Sequence, residues 1–184
     1  MNGRTHEHHG ETVGRRLVLL RHAKAEPGTG SVPDIQRPLA LNGRKQAARV
    51  GAALMAGGLV PALAVVSPAL RTRQTWELAA AQIESAGQVR VEVSDELYEA
   101  SVGDVLDMLR KTDADVASVL VVGHEPTMAA TAAYLAAPGS DDAALAQVRV
   151  GVPTATYSVL EAADLPWSEW GKASARLLHV GRPS

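Results

Sequence analysis

The stretch Leu17-Val18-Leu19-Leu20-Arg21-His22 decides how this chain is read. Four consecutive branched apolar residues, with no polar alternation, describe a strand buried on both faces, as in a parallel sheet covered by helices. Arg21 and His22 then stand at its carboxyl end, ahead of a loop of small residues and Pro27. Ligands of open α/β sheets bind outside the carboxyl ends of strands, so chemistry belongs here. Arg offers a fixed fork of donors suited to phosphate, and His a nucleophile or proton carrier near neutral pH. Two solvated polar residues at a strand end would look the same, so the dipeptide needs support from elsewhere in the chain.

That support comes from two further strand ends. Ala62 to Val66 is again continuous and apolar, and Ser67-Pro68 reads as the N-cap and first position of a helix running to about Ser85. Arg71 falls in the first turn of that helix, where backbone donors and the positive end of the helix dipole favour an anion. Arg73 points to another side and reads as a surface charge. Ser118 to Val122 is a third buried run, followed by Gly123-His124-Glu125-Pro126 and a helix from Thr127 to about Ala136. His124 thus repeats the position of His22.

The remaining segments fill in an alternating pattern. Asn42 to Met55 reads as a helix capped by Asn42 and stopped by Gly57-Gly58, with Arg44, Lys45 and Arg49 on its solvated side. Val89 to Val93 reads as a partly exposed strand. Val102 to Lys111 reads as a helix opened by a Ser101/Asp104 capping box. Residues 137–153 read as connection, and Thr156 to Leu160 and Ala175 to Val180 as closing strands. Trp167 and Trp170, between those strands, read as cover for a core edge. The alternation predicts an α/β fold, a three-layer sandwich with a mainly parallel central sheet and helices on both faces.

Composition sets the bounds. A chain of 184 residues suits a single domain, placed at residues 16–184 behind a disordered tail, residues 1–15. His6, His8 and His9 in that tail lack an apolar anchor, so disorder outweighs metal binding there. A net charge of −2 gives no bulk attraction to nucleic acid or an anionic membrane, and any anion site must be a local cluster. Cysteine is absent, which excludes disulfides and thiolate chemistry. No apolar run matches a membrane span or a signal core, so the expectation is a cytoplasmic protein without a membrane partner.

If the strands ending at residues 21, 66 and 122 are neighbours, Arg21, His22, Arg71 and His124 share one crevice. Four cationic or potentially cationic groups repel one another unless an anion offsets them, and a phosphoryl group is the fitting anion. At this point the sequence resembles the histidine phosphatase superfamily. The family's Arg-His-Gly signature appears as Arg21-His22-Ala23, its Ser-Pro-x-x-Arg-x-x-Gln-Thr motif as Ser67 to Thr75, and its Val-Gly-His as Val122 to His124. The likeness spans residues 16 to 180. Within the superfamily it is nearest to the small bacterial phosphohistidine phosphatases, which favour Arg-His-Ala-Lys-Ala and Asp-x-x-Arg-Pro-Leu, here Asp34 to Leu39.

The resemblance implies a metal-independent phosphatase with no cofactor, acting on phosphohistidine protein or a small phosphorylated molecule. His22 would attack phosphorus and carry the phosphoryl group, while Arg21, Arg71 and His124 hold its oxygens. Arg37 would add a substrate contact or pair with Asp34. Glu99 fits the family's acid/base setting, Leu-x-Glu-x-x-x-Gly, as Leu97 to Gly103, and Glu125 is its rival for the acid role. A phosphoglycerate-mutase-like phosphotransferase and a non-catalytic phosphate-binding module are the alternatives, and the oligomeric state stays open.

Overall fold

The computed structural model describes residues 14–183. The metal or disorder question at His6, His8 and His9 lies outside the described residues. Six strands form one sheet: β1 (Arg15–Arg21), β2 (Leu63–Val66), β3 (Arg90–Val93), β4 (Ser118–Gly123), β5 (Tyr157–Ala162) and β6 (Arg176–Gly181). Their order is β3-β2-β4-β1-β5-β6, and the β3-β2, β2-β4 and β4-β1 pairings are parallel. β5 and β6 add antiparallel strands on the other side of β1. The expected mainly parallel three-layer sandwich is the observed one.

Five helices cover the sheet: α1 (Leu41–Ala56), α2 (Leu70–Ala80), α3 (Val102–Arg110), α4 (Thr127–Leu135) and α5 (Asp142–Val150). Alternate residues of β1 feed two separate cores. Val18 and Leu20 pack with Ala47, Val50 and Leu54 of α1 and Trp76 of α2. Leu17 and Leu19 pack with Leu106, Leu109, Ala132 and Leu135 on the opposite face. Covering both faces explains why the buried runs Leu17 to Leu20 of β1 and Val119 to Val122 of β4 are apolar at every position. The small residues have a use here. A Cβ on Gly51 of α1 would lie 2.0 Å from the Ala79 carbonyl oxygen, so glycine lets α1 and α2 close on each other.

Several local expectations are corrected. Residues 137–153 are not plain connection, since Asp141 caps α5 by accepting from the Ala144 N–H at 2.9 Å, and Ala144 and Val148 are buried. Gly151, at φ 123, ends that helix in a conformation that side chains disfavour. Asn42 is not a cap: α1 begins after Ala40, whose N–H is taken by the Lys24 carbonyl at 2.9 Å. Ser67 does not cap α2 either, and α2 starts at Leu70 and stops at Ala80 rather than near Ser85. The Ser67 hydroxyl is engaged elsewhere, as described below. β3 is exposed at all four positions, and β1 begins at Arg15, inside the segment expected to be tail. Trp167 and Trp170 are core residues, 1% and 0% exposed, with ring centroids 4.7 Å apart. Among the described residues no helix is long and apolar enough to cross a membrane.

Candidate active site

β4 sits between β1 and β2, and its register aligns the three carboxyl ends. Arg21 pairs with Gly123 and Val66 with Val122, while the His22 N–H donates to the Gly123 carbonyl and the Ser67 N–H to the Val122 carbonyl, each at 3.1 Å. β1 leads into α1 on one face and β4 into α4 on the other, so the crevice between them is where ligands of such sheets bind. His22, Ser67 and His124 therefore emerge side by side. The His22 and His124 ring centroids are 5.5 Å apart.

Each side chain is held. His22 is 8% exposed, and its Nδ1 lies 2.7 Å from the Ala23 carbonyl oxygen. A carbonyl can only accept, so Nδ1 carries the proton and Nε2 keeps a free lone pair. Burial pushes this imidazole down to about 4, the guanidinium groups of Arg71, Arg21 and Arg37 push the same way, and the Ala23 bond pulls back. Burial likewise pushes His124 down to about 4, with Arg71 and His22 adding to the effect against Asp34. Both rings are thus neutral at pH 7. His124 Nε2 is 2.7 Å from Ser67 Oγ, which is why that hydroxyl is not a helix cap.

Arg71, in the first turn of α2, is buried and donates to the Asp34 carbonyl at 2.8 Å and to the Asp34 carboxylate at 3.0 Å. Its Nη2 also lies 3.5 Å from His124 Nδ1. Arg21 donates from Nη1 to the Val152 carbonyl at 2.8 Å. The Nε atoms of Arg21 and Arg71 are buried without a protein partner, leaving each guanidinium an unused donor. The rest of the second motif braces this arrangement. Gln74 Oε1 accepts from Leu39 N–H at 2.8 Å, and Thr75 Oγ1 accepts from Ala23 N–H at 3.0 Å, pinning both loops to α2.

The structure brings Arg21, His22, Arg71 and His124 together as expected from their strand ends. Arg37 is at the margin, paired with Asp34 at 3.1 Å and donating to the Glu26 carbonyl at 2.8 Å. Glu99 is exposed and lines a cleft of about 230 Å³ with Tyr98, His124 and Glu125. Glu125 is occupied structurally: Oε1 accepts from Ala129 N–H at 2.7 Å, capping α4, and Oε2 from Val152 N–H at 3.1 Å. It thereby fixes the residue whose carbonyl holds Arg21.

Two residues were missed from sequence. Asp34 was legible as the start of the Asp-x-x-Arg-Pro-Leu segment and as an Arg37 partner, yet its carboxylate receives Arg71, Arg37 and the Tyr98 hydroxyl together. Chiefly the Tyr98 bond, with Arg71 and Arg37 behind it, holds that carboxyl down to about 2. Tyr98 gave no signal beyond its place between Leu97 and Glu99. Its ring meets the His124 ring edge-on at 5.7 Å. Among the described residues no group of three or more His, Asp or Glu is arranged to hold a metal ion.

Comparison with known proteins identifies relatives of this chain in sequence and in fold. Residues 17–117 match the profile of the histidine phosphatase superfamily, branch 1. An uncharacterised protein of Mycobacterium tuberculosis is 36% identical over 168 residues, covering 89% of this chain and 100% of its own length. A proposed phosphohistidine phosphatase SixA from Nakamurella multipartitia superposes with a TM-score of 0.76 at 33% identity, covering 92% of this chain and 96% of the other. The protein histidine phosphatase SixA complexed with tungstate gives a TM-score of 0.72 at 25% identity, with 91% and 97% covered.

Proposed function

The chain belongs to the histidine phosphatase superfamily and is a phosphatase, and on that premise we propose that it works through a covalent phosphate on His22 without a metal ion. The observation that supports this reading best is the state of His22. Its Nδ1 proton is engaged by the Ala23 carbonyl, and burial keeps the ring neutral, so Nε2 is a ready nucleophile at pH 7. Attack forms the P–Nε2 bond as the bond from phosphorus to the leaving group breaks with its electron pair. Water then attacks phosphorus, the electron pair of the P–Nε2 bond returns to Nε2, and inorganic phosphate leaves as dihydrogen phosphate, carrying both protons of the water.

Arg21 and Arg71 supply the positive charge that another enzyme would take from a metal. Their guanidinium groups suit the non-bridging oxygens, on which charge develops in the transition state. Phosphate must share Arg71 with Asp34, so the Asp34 carboxylate moves or the Arg71 fork divides between them. His124 lies close enough to His22 to contact the same phosphoryl group and takes up a proton more readily once an anion offsets the guanidinium charges. Phosphohistidine protein fits as substrate because an imidazole leaves without a strong general acid, and the relatives bearing that activity in their names support it. A small phosphorylated molecule is the second candidate, favoured by Glu99 in the His124 cleft, where a carboxylic acid could protonate an alkoxide.

Rapid quench with labelled substrate tests the proposal. An acid-labile, alkali-stable adduct should form, vanish in His22→Ala and form equally in excess chelator. Label on His124, or an adduct that requires added Mg²⁺ or Zn²⁺, refutes it.

A further inference from the structure

Beside the phosphoryl site runs a second groove, of about 460 Å³, whose lining shares only Lys24 with the family motifs. Lys24, Lys45, Arg49 and Arg182 line it, with Gln46 and Thr154 among the polar residues between them. No carboxylate lines it, all four cations are exposed, and none of them forms an ion pair among the described residues. Four cations around one groove in a chain of net charge −2 are a local concentration, not a reflection of composition.

The placement of Lys45 and Arg49 on α1, with Arg44 beside them, works against the helix. Its 16 residues contain no acid, so no i,i+4 partner offsets Arg44, Lys45 or Arg49. Arg44 and Lys45 also lie near its amino end, where the dipole favours negative charge and no acidic residue is present. A solvated helix face gains nothing from this arrangement, whereas an anion resting in the groove is attracted by the cations and the dipole together.

The groove is built on the same backbone as the nucleophile. Lys24 follows His22 by two residues, and its N–H donates to Gln46 Oε1 at 3.0 Å. The Ala155 N–H donates to the His22 carbonyl at 3.1 Å, and Arg182 Nε to the Thr154 carbonyl at 3.2 Å. Arg182 is near enough to Arg21 for its charge to lower the Arg21 pKa, in the same direction as burial. One loop, residues 152–155, thus serves both sites, with the Val152 carbonyl on Arg21 and Thr154 in the groove.

Resting on the phosphatase reading above, we propose that this groove is an anion subsite that binds a second negatively charged group, phosphate or carboxylate, of the same substrate. Such a group comes either from a small molecule bearing two anionic groups or from acidic residues flanking a phosphohistidine in a protein. The subsite would select among phosphorylated molecules without taking part in the chemistry.

Binding to the non-reacting His22→Asn protein separates the two claims. In one arm, calorimetry compares a series of short α,ω-alkanediol bisphosphates with the matching alkyl monophosphates. In the other, a peptide carrying a phosphohistidine analogue flanked by glutamates is compared with its alanine-flanked form. In at least one arm the doubly anionic probe should bind about tenfold tighter at low ionic strength, two exposed charge contacts being worth roughly that factor. Which arm shows the preference identifies the source. The preference should disappear when Lys45→Glu and Arg49→Glu are added, both at exposed positions, with thermal melting used to check that the variant is folded. Equal binding of both probes in both arms, or a preference that survives the charge reversal, overturns the subsite. Failure of the wild-type protein to hydrolyse any phosphorylated substrate counts against the phosphatase mechanism instead and leaves the binding ratio to decide the groove.

Discussion

The neutral state of His22 has a thermodynamic consequence that can be measured without knowing the substrate. Its imidazole stands at about 4 in the fold against an ordinary value of 6.5. The unfolded chain therefore binds a proton at His22 below 6.5, while the folded chain refuses it until about 4. Between those values the unfolded state carries more protons, so stability rises with pH and is lost as pH falls through the window. At about pH 4.5 the unfolded imidazole is almost fully protonated and the folded one about a quarter protonated, by the usual titration relation. Integrated from pH 7, the loss is about 2.5 kcal/mol, at 1.36 kcal/mol per pH unit of pKa difference. The perturbation is His22→Asn, which removes the titrating ring and keeps a short side-chain donor near the Ala23 carbonyl. Urea unfolding of both proteins at pH 7 and at about pH 4.5 gives a double difference in which titrating groups distant from His22 cancel to first order, and adding His124→Asn to both backgrounds removes the coupled neighbour. Acidification should destabilise the wild-type protein by about 2.5 kcal/mol more than His22→Asn. Parallel losses would refute the reasoning, because His22 would then titrate as an ordinary solvated imidazole and be largely neutral at pH 7 without any help from burial.

Arg71→Ala should lower kcat about 10²–10³-fold, as removal of a preorganised oxyanion donor does. Arg73→Ala, whose exposed side chain reaches only the Pro68 carbonyl at 3.1 Å, should stay near wild type by the same kinetic assay. Glu99→Gln should slow hydrolysis of alkyl phosphates by about 10²-fold or more while sparing phosphohistidine and aryl phosphates with good leaving groups, and a uniform small loss across all three would remove Glu99 from the mechanism. Gly51→Ala sets a helix-propensity gain of about 1 kcal/mol against a Cβ 2.0 Å from the Ala79 oxygen. The clash should win, with a net loss of about 1–3 kcal/mol in urea unfolding, and a stabilised variant would mean that α1 and α2 are not in close contact there.

The sequence by itself determined the buried strands, the alternation of strand and helix, and the four strand-end residues that the fold brings to one crevice. It could do so because a strand apolar at every position has only one environment, between two helical layers, and because strand ends in such sheets are where polar residues gather. Arg21, His22, Arg71 and His124 were therefore legible as a set before their contacts were known. α5 was not legible: its Asp-Ala-Ala-Leu-Ala-Gln run has a weak apolar stripe, and the helix depends on burying Ala144 and Val148 against its neighbours. The same holds for Ser67, which local preference assigns to a helix cap and the fold assigns to His124. Only the tertiary structure decided that β4 lies between β1 and β2, that Asp34 and Tyr98 close over Arg71, and that four cations from three separate segments share one groove. Those are contacts between residues distant in the chain. Local propensity and periodicity act over a few residues, whereas strand order and loop closure are set by which packing buries both faces of the whole sheet.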